Sequence, residues 1–177
     1  LDFAYRHGVI HRDIKPANIL IGAQGDIKIS DFGVALQAEG EHTHIQGVGS
    51  PAYMSPEQVQ DKALSHQTDI YSLGVVMYQM LTGKLPFVAA NKASLLYQIL
   101  NIDPKPPSTH RTDIPPELDR AVIRALAKDR RDRYQSWGEF SRDLRRVRRV
   151  GGFEPLGEPL VQEPPPGPRD PLRGDAV

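Results

Sequence analysis

The chain has 177 residues, 22 Lys+Arg against 22 Asp+Glu and no Cys: enough to bury a domain-sized core, and not a disulfide-stapled secreted module. Zero formal net charge with 25% charged residues gives no global field toward nucleic acid or an anionic membrane, so any basic site must be local. The most apolar stretch, Ile70 to Leu81, falls short of the ~18–20 residues that span a bilayer.

In chain order, the first readable element is a short hairpin: Ile19-Leu20-Ile21 and the alternating Ile27 and Ile29 flank Gly22-Ala23-Gln24-Gly25. An irregular stretch from Phe32 to Glu57 follows, long enough to be read as functional. Asp69 to Thr82 is apolar nearly all round and stops at Gly83, which predicts a helix buried on every side, the core axis. Leu95, Leu96, Ile99 and Leu100 mark another amphipathic helix. After Pro115-Pro116, the residues Leu118, Ala121, Val122, Ala125 and Leu126 keep helical spacing. A last helix starts at Ser136, with a capping box Ser136-x-x-Glu139 and a face of Trp137, Phe140, Leu144 and Val147. The basic run Arg145-Arg146-x-Arg148-Arg149 at its end complements the carbonyl end of the macrodipole. Residues 151–177 carry 7 of the 16 Pro and 5 of the 15 Gly, so the folded domain is expected to be 1–150 and the remainder a Pro/Gly-rich disordered tail. The N-terminus has no Met and no secretory leader pattern, and reads as a cut inside a longer protein.

The chemistry concentrates around the hairpin. His11-Arg12-Asp13-Ile14-Lys15-Pro16-Ala17-Asn18 precedes it and Asp31-Phe32-Gly33 follows it, which brings two acidic side chains together. Phosphoryl transfer needs a carboxylate to orient and deprotonate a hydroxyl, a cation near the phosphate and oxygen ligands for Mg²⁺. Asp13, Lys15, Asn18 and Asp31 can supply all three.

These residues resemble the protein kinase family: the pattern H-R-D-x-K-x-x-N, then D-F-G, then an A-P-E-like Ser55-Pro56-Glu57 occur in the family's order. The resemblance implies a mainly α fold, the helical C-terminal lobe of a kinase with a short catalytic hairpin, from the end of that lobe's first long helix through its last. The family's N-terminal β lobe, with its G-x-G-x-x-G-x-V loop, strand Lys and helix Glu, is absent from the chain; Gly47-x-Gly49-x-x-Ala52 ends in Ala and follows no strand, so it is not that loop. By resemblance Asp13 is the catalytic base, Lys15 neutralises charge on the moving phosphate, Asn18 and Asp31 bind Mg²⁺, and Leu20 floors the adenine of ATP. Lys15 is similar to the serine/threonine-specific branch. Ser50 takes the place of the family's substrate-loop Thr. Glu57 and Arg133 resemble its buried ion pair, and Asp69 the helix residue that holds the catalytic loop.

Arg12 before Asp13 implies a phosphate receiver for the activation loop, where Thr43 is the one hydroxyl between Gly33 and Gly49. The segment GSPAYMSPEQ is most similar to eukaryotic-like kinases of bacteria. Implied partners are a protein bearing Ser or Thr, the missing lobe, a Pro-motif reader of the tail, and no nucleic acid. A cytoplasmic location is expected, with a membrane anchor beyond the chain in the parent. Three functions stay open: a segment of an active serine/threonine kinase, a kinase-derived binding module without catalysis, and a scaffold acting through its tail. Without the glycine-rich lobe, the chain alone is expected to bind ATP weakly and transfer phosphate poorly.

Overall fold

A computed structural model describes residues 1–32, 36–37 and 51–150, the last three of these without their side chains and 36–37 as backbone. Ser50, Thr43 and the tail 151–177 lie outside the described residues. Helices dominate: α1 (Asp2–Arg6), α2 (Pro56–Val59), α3 (His66–Thr82), α4 (Lys92–Asn101), α5 (Pro116–Ala125) and α6 (Trp137–Val150). Among the described residues, four short strands make two antiparallel pairs. β1 (Val9–Ile10) pairs with β4 (Leu36–Gln37), and β2 (Ile19–Ile21) pairs with β3 (Ile27–Ile29) in the register Ile19↔Ile29.

The β2–β3 hairpin closes where Gly22 N–H donates to Asp26 O (2.7 Å) and Gly25 takes φ +85°, a value that suits glycine. β4 interrupts the stretch from Phe32 to Glu57 expected to be irregular, of which residues 33–35 and 38–50 lie outside the described residues. That stretch contributes a strand at 36–37, a 3₁₀ turn at Pro51–Tyr53 and the start of α2. Strands of two residues carry no period that a sequence can display.

α3 is the axis. Ser65 caps it reciprocally with Thr68, so it begins three residues before Asp69, and it ends at Gly83 in the left-handed conformation. Its burial is not complete all round: Met80, in the last turn, is 76% exposed. One face packs Ile70 against Ala125, Tyr134, Trp137 and Phe140, and another packs Tyr71, Val75 and Tyr78 against Val122 and Leu126. Gly74 lets α3 and α5 approach closely, since a Cβ there would stand 2.9 Å from the Ala125 Cβ. In α6, Trp137, Phe140 and Val147 are buried and Leu144 packs on the same cluster. Its cap is half of the expected box. Ser136 Oγ accepts from Glu139 N–H (3.1 Å), while the Glu139 carboxylate accepts from Gln135 N–H (2.8 Å) rather than from Ser136.

Candidate active site

The loop between β1 and the 3₁₀ turn Pro16–Asn18 is held by tertiary bonds. Asp69, near the start of α3, accepts from His11 N–H through Oδ2 and from Arg12 N–H through Oδ1, each at 2.8 Å. Burial raises the Asp69 carboxyl above the ordinary carboxylate range, opposed by these two N–H donors. Burial likewise lowers the Arg12 guanidinium, opposed by the charge of Asp69. Arg12 has φ +71°, and its carbonyl accepts from Gln58 Nε2 (2.8 Å). A non-glycine residue in that region costs on the order of 1–3 kcal/mol and persists where its surroundings over-determine it. Asp69 on one side and Gln58 on the other do so here.

Gln58 in turn is fixed by a capping box at the start of α2: its N–H donates to Ser55 Oγ (3.3 Å) and its Oε1 accepts from Ser55 N–H (3.0 Å). The pattern Ser55-x-x-Gln58 carries that box in the sequence, where it went unread.

Asp13 stands at the centre. Lys15 Nζ reaches its Oδ2 at 2.6 Å, and Asn18 Nδ2 donates to the same oxygen (3.1 Å) and to the Asp13 carbonyl (2.8 Å). The Asp13 and Lys15 side chains are 16% and 22% exposed, so the pair is open enough to meet a second molecule. Asn18 is buried, and with its NH₂ committed to Asp13 its Oδ1 is the atom left to act as a metal ligand.

His11 joins this loop to Asp31. Its ring is fully buried; Nε2 meets the Ser30 carbonyl at 2.9 Å and so carries the proton, leaving Nδ1 to accept from Asp13 N–H (3.3 Å). The Phe32 ring packs edge-on against it, centroids 4.6 Å apart. Ser30 N–H also donates to the Asn18 carbonyl (2.9 Å). Asp31 is thus tethered on both sides, by Ser30 and by Phe32, to the loop that carries Asp13. It takes φ +66° and its side chain faces solvent. Leu20 lies on the hairpin, 52% exposed. His11 is the residue that sequence reasoning left without a role.

Glu57 and Arg133, 76 residues apart, form a bidentate pair (2.7 and 2.8 Å) with both side chains buried. All five guanidinium N–H groups are used, the other three on the carbonyls of Ala127, Gln67 and Lys128. Thr68 Oγ1 donates to Glu57 as well (2.9 Å). Burial alone would raise the Glu57 carboxyl; the hydrogen bonds and charge of Arg133, with Thr68, outweigh it and hold it below the usual range. The structure therefore brings Asp13, Lys15 and Asn18 into direct contact, ties Arg12 to Asp69 and Asp31 to their loop, and places Glu57–Arg133 apart, beneath α2.

A model of the protein kinase domain matches residues 1–140. The chain belongs to the protein kinase family. It is 41% identical over 151 residues to serine/threonine-protein kinase PknB of Mycolicibacterium smegmatis, covering 83% of this chain and 24% of that protein. It is 42% identical over 151 residues to PknB of Mycobacterium leprae, with the same coverage. A probable serine/threonine-protein kinase PknB of Bifidobacterium longum is 40% identical over 148 residues, 81% of this chain and 21% of that protein. The chain thus spans about a quarter of the length of the curated relatives it matches. Among the described residues, no helix is long and apolar enough to cross a membrane, and no group of three or more His, Cys, Asp or Glu could hold a metal ion.

Proposed function

We propose that residues 1–150 are the catalytic C-terminal lobe of a serine/threonine protein kinase, followed by a Pro/Gly-rich tail, and that with a glycine-rich lobe it transfers the γ-phosphate of ATP to Ser or Thr hydroxyls of proteins. The observation that carries this reading is the shared oxygen at Asp13. Lys15 and Asn18 both hold Oδ2, which aims the carboxylate and places a cation beside it, as a transfer between a hydroxyl and a phosphate requires.

In this reading Asp13 accepts the proton of the attacking hydroxyl, and Lys15 stabilises charge on the phosphoryl oxygens as it passes. Asn18 Oδ1 and Asp31 would hold Mg²⁺, which would supply positive charge to offset that of the phosphates. Leu20 offers an apolar surface to adenine, Ser50 borders the protein substrate, and Arg12 receives a phosphate from Thr43. Glu57–Arg133 and Asp69 position these groups without touching substrate. In the same proposal the parent acts in the cytoplasm of a bacterium and has no nucleic-acid partner, in keeping with a chain of zero formal net charge.

The test uses the full-length enzyme bearing this segment. Asp13→Asn should lower turnover by at least about 10²-fold, the usual worth of a positioned base, and Asp31→Asn by a comparable factor through loss of a metal ligand, with melting temperatures close to the parent's. Near-normal turnover in either variant removes that residue from its role.

A further inference from the structure

The segment after α3 and the end of α4 line a groove of about 670 Å³. Its floor is aromatic: Phe87, buried, and Tyr78. Two apolar side chains on its rim are left in water, Val88 at 71% and Ile102 at 45% exposure. The rim loop is fixed rather than slack. Gln98 Nε2 donates to the Val88 carbonyl (3.2 Å), and Lys128 Nζ lies 4.0 Å over the Phe87 ring while donating to the Ile99 carbonyl (2.7 Å). Lys84 and Lys105 flank the opening against one carboxylate, Asp103, so the rim is net positive.

Aromatic-floored grooves with polar rims are what extended proline-rich segments recognise, because a polyproline II strand arrives already stiff and loses little entropy. This chain contains such a segment with the opposite charge. Residues 154–168, Glu-Pro-Leu-Gly-Glu-Pro-Leu-Val-Gln-Glu-Pro-Pro-Pro-Gly-Pro, hold six Pro, three Glu and no Lys or Arg. α6 ends at Val150. At about 3.1 Å per residue in the polyproline II form, Leu160 reaches some 30 Å and Pro168 about 55 Å from that point. A domain of this size has a radius of gyration near 15 Å, so the groove is in reach. Tethering also supplies an effective concentration of the order of millimolar, enough to fill a modest site that a free peptide would leave empty.

We infer that the acidic proline-rich segment 154–168 of this same chain docks in the groove of Tyr78, Phe87, Val88 and Ile102, its carboxylates over Lys84 and Lys105. The docked tail covers the exposed Val88 and Ile102 and competes with any other chain that would use this face. The inference does not depend on the kinase being active.

The absence of cysteine makes the test direct. Val161→Cys in the full 177-residue chain takes a single nitroxide label, and amide signals are followed by ¹⁵N NMR. The expected result is selective loss of signal at the non-proline residues of 84–88 and 102–105, unchanged on dilution, and recovered in the exposed-site double variant Lys84→Glu/Lys105→Glu. Reversal of the tail's charge, Glu154→Lys/Glu158→Lys/Glu163→Lys, should recover the same signals, which guards against a folding defect in the groove variant. Uniform or absent broadening, broadening centred on another face, or survival of the effect in the tail variant overturns the proposal. So does broadening that arises only between labelled and unlabelled chains, which would put the tail on a second copy.

Discussion

Replacing Arg133 by Met removes the cation from beneath α2 while keeping much of the side-chain volume. Glu57, 4% exposed, is then a buried carboxylate with only Thr68 and no counter-charge, and three backbone carbonyls lose their donor. Breaking one half of a buried pair costs about 3–5 kcal/mol. For a domain of roughly 150 residues, each kcal/mol moves the melting temperature by about 2–4 °C, so Arg133→Met should melt about 6–20 °C below the parent at neutral pH.

The pH dependence reverses sign between the two proteins. In the parent, Glu57 titrates lower folded than unfolded; its contribution is present above the unfolded pKa of about 4.3 and is lost as pH falls through the lower folded value. In the variant the unpaired carboxylate titrates higher folded than unfolded, so stability rises as pH falls through that raised value, and the gap to the parent narrows in acid. Adding Glu57→Gln, which abolishes the buried charge, should recover a large part of the lost stability. Differential scanning calorimetry from pH 4 to 8 would check all three outcomes. A single variant within about 3 °C of the parent, or a double variant no better than the single, refutes the reasoning.

Gly74→Ala places a methyl 2.9 Å from the Ala125 Cβ and 3.3 Å from Leu126 Cδ2; it should destabilise by about 1–3 kcal/mol, read by thermal melting, and no loss would mean that α3 and α5 can separate freely. The 177-residue chain alone should bind Mg-ATP more weakly than micromolar, and a calorimetric Kd in that range or below contradicts the half-site argument. Thr43 should carry phosphate after the full-length enzyme is incubated with Mg-ATP, and Thr43→Ala should slow it; mass spectrometry finding Thr43 unmodified in a fully active enzyme sinks that assignment.

What could be read in advance follows interaction range. The body and end of the helix expected over Asp69–Thr82 are legible because seven aliphatic residues between Ile70 and Leu81 and a closing Gly83 suffice, while its start at His66 is set by the Ser65 cap. The β2–β3 hairpin is legible from five residues between Ile21 and Ile27, whereas β1 and β4, two residues each and 26 positions apart at their nearest paired residues Ile10 and Leu36, have no local signature. At the site, Asp13, Lys15 and Asn18 fall within six positions, so one motif names the whole contact. The groups that hold that motif in shape are distant: Gln58 is 46 residues from Arg12, and Asp69 is 58 from His11. Asp69 could be named only by resemblance. Gln58 had a local signal, but one that speaks of a helix start and says nothing of Arg12.

The left-handed backbone at Arg12 shows why those distant groups matter. Its strain, on the order of 1–3 kcal/mol, cannot be offset within the loop, because the residue's own N–H and C=O point to partners in α3 and α2. A hydrogen bond to a charged acceptor contributes about 1.5–3 kcal/mol and a neutral one about 1, so Asp69 and Gln58 together match or exceed the strain, and neither alone is sure to. The conformation that presents Asp13 is therefore conditional on both helices being docked. α2 is itself pinned from below by Glu57, the residue before Gln58, through Arg133. A disturbance at the α2 anchor thus reaches the loop of Asp13 through one peptide unit and one side-chain bond, while leaving Asp13's own contacts with Lys15 and Asn18 to relax afterwards.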